Sequence, residues 1–206
     1  AYREAAELAR EDGEVAREIV FISLVGTIRM AIDGTGEEEL DAALARARLL
    51  DDDLCLATVL EHRAYVRGKQ DDRREAEELI RESLRIVDRI ETEQASVPYE
   101  THRRRFFALI NLGNLEMLAS RFDDAVNTRR EALRIAESSG NAVWVAHALL
   151  EMGEMYGELG DDVRARGYLA QANALYRENN VTAHLDRLEA IAARHGYRLS
   201  TGNPSP

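Results

Sequence analysis

Two stretches of this chain decide its fold: residues 112–125 read LGNLEMLASRFDDA, and residues 152–165 read MGEMYGELGDDVRA. Aligned at an offset of 40 residues, they place glycine against glycine and alanine against alanine: Gly113 with Gly153, Ala125 with Ala165, and a little further on Ala132 with Ala172. A constant offset across matched small residues indicates an internal repeat.

Gly113 lies inside an apolar stripe with helical spacing, which also contains Phe106, Leu109, Ile110 and Met117. A glycine inside a helix costs about 1 kcal/mol relative to alanine, so a compensating gain is expected. We predict that the missing side chain lets the two helices of one repeat pack closely. Because a helix pair of this size cannot bury its apolar face alone, neighbouring pairs are expected to stack.

The repeat over residues 141–180 carries clear start and stop signals for two helices. Asn141 is predicted to cap the first helix, and Gly160 is predicted to end it. Asp161 or Asp162 is predicted to cap the partner helix, because a short acidic side chain can accept bonds from the first backbone N–H groups. Each unit therefore reads as two amphipathic helices joined by a tight turn.

The order of small residues, apolar stripe and partner-helix alanines resembles the tetratricopeptide repeat (TPR) family. The residues that carry the resemblance are Leu109, Leu112, Gly113, Ala125 and Ala132 in one unit, and Leu149, Met152, Gly153, Tyr156, Ala165 and Ala172 in the next. The usual aromatic residue of the first helix and the usual proline near the end of the unit are absent, and the period exceeds the family's usual length of about 34 residues. Such long repeats resemble the TPR arms of bacterial multidomain regulators and signalling ATPases. The resemblance implies an all-α fold, a right-handed α-α superhelix built as a TPR-like solenoid of antiparallel helix pairs.

The repeat pattern extends with less regularity to the rest of the chain, and we predict a single TPR-like domain over residues 1–200. Its predicted parts are degenerate N-terminal helices over 1–52, a repeat with a long second helix over 53–100, repeats over 101–140 and 141–180, and a capping helix over 181–196. Terminal repeats need a polar outer face, which is the predicted role of that last helix. Residues 197–206 are predicted to form a flexible tail.

The composition argues against several classes of partner. The formal net charge is −11, whereas a general nucleic-acid-binding surface needs a basic footprint, so no direct nucleic-acid partner is expected. The most apolar run, IVFISLVGTI over residues 19–28, is too short to span a bilayer, so no membrane partner is expected. The chain starts without methionine and without a signal-peptide pattern, so we predict a cytoplasmic fragment of a longer protein.

No catalytic motif is present, and we predict no enzymatic activity, no cofactor and no metal. The chain lacks a phosphate-binding glycine loop, an HExxH motif and a nucleophile elbow, and its five histidines lack metal-ligand spacing. Glu151, Glu154 and Glu158 have helical spacing and could form a paired-carboxylate site. We favour a single solvated or ligand-facing side of one helix for these three acids.

The resemblance implies that the first helix of each pair lines a concave groove. Because Gly113 and Gly153 are predicted to face their partner helices, residues on the opposite side should face the groove. The predicted groove residues are Glu61, His62, Tyr65, Asn111, Asn114, Leu118, His147, Leu150, Glu151, Glu154 and Glu158. Their acidic members favour a basic or neutral peptide.

We therefore predict a non-catalytic scaffold that binds a protein or peptide partner, as part of a larger regulatory or signalling protein. Asn114 matches a position that TPR proteins often use to bond the backbone of a bound peptide, and a simple exposed polar residue is the alternative. The alternative function is a structural module for homo-oligomerisation. A dense basic cluster, residues 103–105, is predicted to pair with nearby acids, Glu91, Glu93 and Glu100.

Overall fold

The computed structural model describes residues 1–93 and 99–198 of the chain. Within these ranges the chain forms ten α-helices, a short 3-10 helix over Thr182–His184 and no strand. The α-helices are α1 (Tyr2–Glu11), α2 (Val15–Asp33), α3 (Glu37–Leu49), α4 (Asp53–Lys69), α5 (Arg73–Glu93), α6 (Tyr99–Leu118), α7 (Phe122–Ser138), α8 (Ala142–Glu158), α9 (Asp162–Glu178) and α10 (Leu185–Arg194). Neighbouring helices pack in pairs, and the predicted all-α architecture of helix pairs is confirmed for the described residues.

The chain divides into two compact units, Ala1–Leu115 and Glu116–Pro206. The division falls near the end of α6, so most of α6 belongs to the first unit. The single domain over residues 1–200 stays a prediction. The predicted flexible tail over 197–206 is wrong at its first residue, because Tyr197 is buried in the core of the second unit; from position 199 onward it lies outside the described residues.

In the first unit, α2 packs against α3 and α4, and α4 packs against α5. One apolar cluster joins α2, α3 and α4, and a second joins α4 and α5 to the part of α6 that belongs to this unit. Helix α4 therefore contributes to both clusters, because apolar residues occupy two of its sides: Val59 lies in the first cluster, and Leu60 lies in the second. Burial on two sides is typical of an internal helix in a stacked array.

The chain has one cysteine, Cys55, and it lies at the start of α4. Its side chain belongs to the apolar cluster of α2, α3 and α4, and the residue is only 3% exposed. The thiol lies 3.6 Å from the backbone oxygen of Ala16, to which it donates a weak hydrogen bond. Burial, helped by the nearby carboxylate of Asp52, raises the pKa of the thiol to about 11. Cys55 is thus a small core residue, as its apolar sequence context predicts.

In the second unit, α8 lies between α7 and α9, and side chains of α10 complete the core. Leu150, Leu169 and Tyr176 are fully buried there, together with Leu188 and Ile191 of α10. The helix predicted over residues 181–196 is a 3-10 turn followed by α10, and its apolar side closes the end of the core. The only tryptophan of the chain, residue 144, is buried in α8.

The helix ends of the second unit follow the predicted capping chemistry. The side-chain oxygen of Asn141 accepts hydrogen bonds from the backbone N–H groups of Val143 and Trp144, both at 3.1 Å. Asp161 accepts a bond from the backbone N–H of Arg164 at 3.0 Å and caps α9. Gly160 has a φ of 74°, which a glycine adopts without strain, and it follows the end of α8. The predicted capping roles are confirmed.

Gly153 marks a close approach between α8 and α9. A β-carbon at this position would lie 2.7 Å from Cγ of Leu169 and 3.2 Å from the backbone nitrogen of Leu169. No real β-carbon tolerates the first distance, so the absence of a side chain lets the two helices pack this closely. The predicted role of Gly153 in helix packing is confirmed, and Gly113 is buried at the matching position of α6.

Candidate functional site

The predicted groove residues fall into three groups by exposure. The exposed ones are Tyr65, Leu118 and Glu158; the half-buried ones are His62, Asn111, Asn114, His147 and Glu154; the buried ones are Glu61, Leu150 and Glu151. Only the exposed and half-buried groups have appreciable side-chain surface open to solvent. The buried group has other roles, which its contacts define.

Leu150 does not line a groove, because it is 0% exposed and belongs to the core of the second unit. The physical reason is that α8 has apolar neighbours on more than one side. Helices α7 and α9 pack against it, and side chains of α10 share its core. The prediction of Leu150 as a groove residue holds only if the side of α8 that carries Gly153 is the one buried side. Because α8 is buried on more than one side, this prediction is wrong.

Glu61 is also unavailable to a partner, because its residue is only 5% exposed. The hydroxyl of Ser83 donates to its carboxylate at 3.2 Å, and Arg104 donates at 3.1 Å. Burial raises the pKa of Glu61 to about 7, and the opposing effect of Arg104 is smaller. The carboxylate therefore ties α4 to α5 and α6 inside the first unit.

Glu61→Gln is expected to remove part of the pH dependence of stability. The pKa of Glu61 is higher in the folded chain than in the unfolded chain, so its contribution is present at low pH and is lost as pH rises toward 7. For the wild type, the free energy of unfolding should fall by about 1 to 3 kcal/mol from this group between pH 5 and pH 8. Urea titrations at both pH values measure the difference.

The matched control for this experiment is Glu38→Gln, because Glu38 is exposed at the start of α3. The control should keep the pH dependence of the wild type, whereas Glu61→Gln should flatten it. Identical pH dependence in all three proteins would contradict the assignment of a raised pKa to Glu61.

His62 supports packing between α2 and α4. Its Nδ1 atom lies 2.7 Å from the hydroxyl of Ser23, and Ser23 is fully buried in α2. Burial, together with the charges of Arg104 and Arg103, lowers the pKa of His62 to about 4. The imidazole is therefore neutral at pH 7, and it contributes an interhelical hydrogen bond.

Tyr65 is the exposed member of the predicted set on α4, with 44% of its surface accessible. The ammonium of Lys69, the only lysine of the chain, lies 5.5 Å from the centre of its ring. An exposed aromatic ring with a cation over its face is suited to contact with another protein.

A cavity of about 300 Å³ opens in the first unit, between α2, the start of α4 and the first turns of α6. Its apolar wall includes Val20, Phe21 and Leu54, and Thr58 of α4 also lines it. Thr58 and Tyr65 are seven residues apart, so they lie on the same side of α4. The cavity and the exposed ring thus belong to one continuous side of this helix.

The basic cluster over residues 103–105 is paired with acids, as predicted. Arg103 donates to Glu100 at 2.8 Å, and Arg105 donates to Glu91 at 2.8 and 3.0 Å. Arg104 pairs with a buried carboxylate of α4, which the sequence pattern did not reveal. Through these ion pairs, Arg104 and Arg105 bind α6 to α4 and α5.

In the second unit, Glu151 is buried within a network of cations. The residue is 1% exposed, and its carboxylate lies 2.5 Å from Arg187, 3.4 Å from His147 and 3.6 Å from Arg129. Arg129 also donates to the backbone oxygen of Glu151. Burial raises the pKa of Glu151, but His147, Arg187 and Arg129 together outweigh it and lower the pKa to about 2. The carboxylate is therefore ionised at neutral pH.

The remaining acids of α8 are bound by basic residues of α10 and by His195, which follows it. Arg187 donates to Glu154 at 2.7 Å, and Arg194 donates to Glu154 and Glu158, both at 3.3 Å. The imidazole of His195 lies 3.5 Å from Glu158. The acidic side of α8, predicted to attract a basic peptide, thus already contacts basic residues of the same chain. The sequence contained a signal for this pairing, because the arginines of α10 and the outer acids of α8 have the same seven-residue spacing.

The described residues contain neither a candidate metal-binding group nor a candidate membrane-spanning helix. Within residues 1–93 and 99–198, no three histidine, cysteine or acidic side chains are grouped so that they could hold a metal ion. No helix in the described part of the chain combines the length and the apolar character needed to cross a bilayer.

Comparisons with known proteins agree with the fold. Residues 104–178 match the family model described as tetratricopeptide repeat. The structure resembles the crystal structure of BtubC (BKLC) from P. vanneervenii, with a TM-score of 0.67 and 20% identity, over 100% of this chain and 92% of that chain. It also resembles the apo form of RapI, with a TM-score of 0.63 and 15% identity, over 94% of this chain and 55% of that chain. No curated protein sequence matches this chain. The resemblance found in the sequence is thereby confirmed.

Proposed function

We propose that this chain, whose residues 104–178 match the tetratricopeptide repeat family model, is a non-catalytic scaffold that binds a protein or peptide partner. Tetratricopeptide repeats generally serve protein interaction and not catalysis, which supports this function class. The observation that carries the proposal is the side of α4 that joins an apolar cavity to the exposed ring of Tyr65.

The partner is proposed to contact the first unit through one apolar side chain and one aromatic contact. The cavity beside Val20, Phe21 and Leu54 has the volume for such a side chain. Tyr65, two helical turns further along α4 than Thr58, supplies the aromatic contact. Aromatic anchors next to apolar pockets dominate the energy of many protein interfaces.

On α6, the amide side chains of Asn111 and Asn114 are half-buried on the described surface of the first unit. A side-chain amide offers both donors and an acceptor, so it can bond the backbone of an extended peptide. We assign this contact to Asn114, and we assign an apolar contact in the second unit to Leu118, which is 56% exposed.

Tyr65→Ala is expected to weaken partner binding at least tenfold, because truncating an aromatic hot-spot residue costs about 2 kcal/mol or more and each 1.4 kcal/mol is about a factor of ten in affinity. The full chain is first screened for binding to an array of random peptides. The affinities of the strongest binders are then measured for the wild type and for Tyr65→Ala. Tyr2→Ala is the matched control, because Tyr2 is an equally exposed tyrosine on α1 of the same unit.

Two results would contradict the proposal. One is a set of peptides whose affinity is the same for the wild type and Tyr65→Ala. The other is an equal loss of affinity in Tyr2→Ala, which would indicate nonspecific contact with exposed rings. Light scattering separates the alternative function, since self-association of the wild-type chain that grows with concentration would favour homo-oligomerisation.

A further inference from the structure

The contact between α8 and α10 is built from two matching charge patterns. Glu151 and Glu158 are seven residues apart on α8, and Arg187 and Arg194 are seven residues apart on α10. Seven residues make two helical turns, so both pairs have the same separation of about 10 Å along their helices. Glu154 lies between the outer acids and accepts a bond from each arginine. The result is a continuous row of ion pairs along the two helices.

The apolar side of α10 supplies the second part of the contact. Leu188 and Ile191 are fully buried and share the core that contains Leu150 and Tyr176. The segment RLEAIAAR, residues 187–194, therefore contains both the arginines of the ion pairs and the two fully buried apolar residues. It places an arginine at each end, with a leucine and an isoleucine at helical spacing between them.

α10 is short, and its helical state depends on its position against the rest of the second unit. It has ten residues, and isolated helices shorter than about 12 to 15 residues are marginal in water. Beyond its own ion pairs and apolar contacts, the hydroxyl of Tyr197 donates to Asp162 of α9 at 2.6 Å. Folding of α10 is therefore coupled to docking, and docking is an intramolecular binding equilibrium.

We propose that the surface of the second unit covered by α10 is a docking site for a basic amphipathic helix, and that α10 is its resident occupant. The external partner is a helix of another protein with two arginines seven residues apart and two apolar residues between them. Without α10, this surface combines exposed apolar core residues with the carboxylates of Glu154 and Glu158, which is complementary to that pattern. The proposal rests on the scaffold function proposed above and names the partner chemistry for the second unit. It also makes α10 a regulator, because a partner has to displace it.

The first test uses the wild-type chain and a synthetic peptide with the sequence of residues 181–198 as the probe. At a saturating peptide concentration, hydrogen exchange at the backbone amides of α10 should accelerate at least tenfold, while the amides of α8 keep their protection. A peptide carrying Arg187→Glu and Arg194→Glu is the control and should leave the exchange of α10 unchanged. Unchanged exchange of α10 with the saturating wild-type peptide would overturn the proposal.

The second test reverses the charges of the docking surface. In the full chain with Glu154→Arg and Glu158→Arg, the arginines of the resident α10 are repelled at two of their three carboxylate partners. A charge-reversed peptide that carries Arg194→Glu alone, and so keeps Arg187 for Glu151, should bind this variant at least tenfold more tightly than it binds the wild type. The side chains of Glu154 and Glu158 are 22% and 47% exposed, so the substitutions themselves place no new side chain in the core. Glu137→Arg with Glu178→Arg is the matched control, since these exposed acids lie on α7 and α9. Equal affinity of the charge-reversed peptide for the two variants would overturn the assignment of the surface.

The outcomes also separate this proposal from the broader one. Tyr65→Ala should leave displacement of α10 unchanged, because Tyr65 belongs to the first unit. If the peptide does not displace α10 but a partner still binds in a way that depends on Tyr65, only the docking site on the second unit is refuted. Dimers of the wild-type chain that form at high concentration and disappear in Glu154→Arg with Glu158→Arg would overturn the choice of partner, because a second copy would then be the occupant.

Discussion

Arg129→Met is expected to lower the free energy of unfolding by about 3 to 5 kcal/mol, because it removes a buried partner of a buried carboxylate. The guanidinium of Arg129 lies 3.6 Å from the carboxylate of Glu151 and donates to the backbone oxygen of the same residue. Both residues are buried between α7 and α8, so water cannot replace the lost contacts. At pH 7, where Glu151 is ionised, the variant leaves a buried charge with fewer partners.

The matched control is Arg134→Met, which makes the same change on the exposed side of α7 and should alter stability by less than about 0.5 kcal/mol. Urea unfolding followed by circular dichroism gives both values. The double variant Arg129→Met with Glu151→Gln should recover part of the loss, since the uncompensated charge is then absent. Equal stability of the Arg129 and Arg134 variants would show that the buried pair contributes nothing.

Gly153→Ala is expected to destabilise the chain by about 1 to 3 kcal/mol, against the general preference of helices for alanine. The added β-carbon would lie 2.7 Å from Cγ of Leu169, and the backbone nitrogen of Leu169 is also within 3.2 Å. Rotation of the leucine side chain cannot relieve the contact with its backbone, so α8 and α9 have to move apart. Gly113→Leu is predicted to cost a similar amount by overpacking.

Gly167→Ala is the control for that measurement, because a β-carbon at Gly167 on α9 would meet no atom within 4 Å. It should stabilise the chain by about 0.5 to 1 kcal/mol through the higher helix propensity of alanine. Thermal unfolding of both variants gives the comparison. If both alanines stabilise the chain, the close approach of α8 and α9 at Gly153 does not exclude a β-carbon there.

Local chemistry explains why much of the fold could be predicted from the sequence. Asn141, Gly160 and Asp161 act on backbone groups within a few residues of themselves, so their roles follow from the sequence around them. Gly153 was identified because a repeat offset shows which residues share a structural position. The helices before residue 53 follow that repeat less regularly, and α1, α2 and α3 lie within the range of residues 1–52 predicted for degenerate N-terminal helices.

The site was harder to predict, because the burial of a charged residue depends on partners far away in the sequence. Glu61 and Glu151 look like solvated acids on amphipathic helices, and each is buried because arginines from other helices bind it. Leu150 was misplaced for a related reason, since the number of helices that surround α8 is not encoded in α8 itself. The seven-residue spacing shared by α8 and α10 was visible in the sequence, but its meaning depends on the two helices lying side by side.

The single cysteine and the single tryptophan of the chain give each compact unit its own natural reporter. Cys55 is buried in the first unit, so the rate at which a thiol reagent labels it measures how often that unit opens. Trp144 is buried in α8, so its fluorescence follows the loss of packing in the second unit. A single denaturation experiment on the unmodified chain can therefore establish whether the two units lose structure together or one after the other.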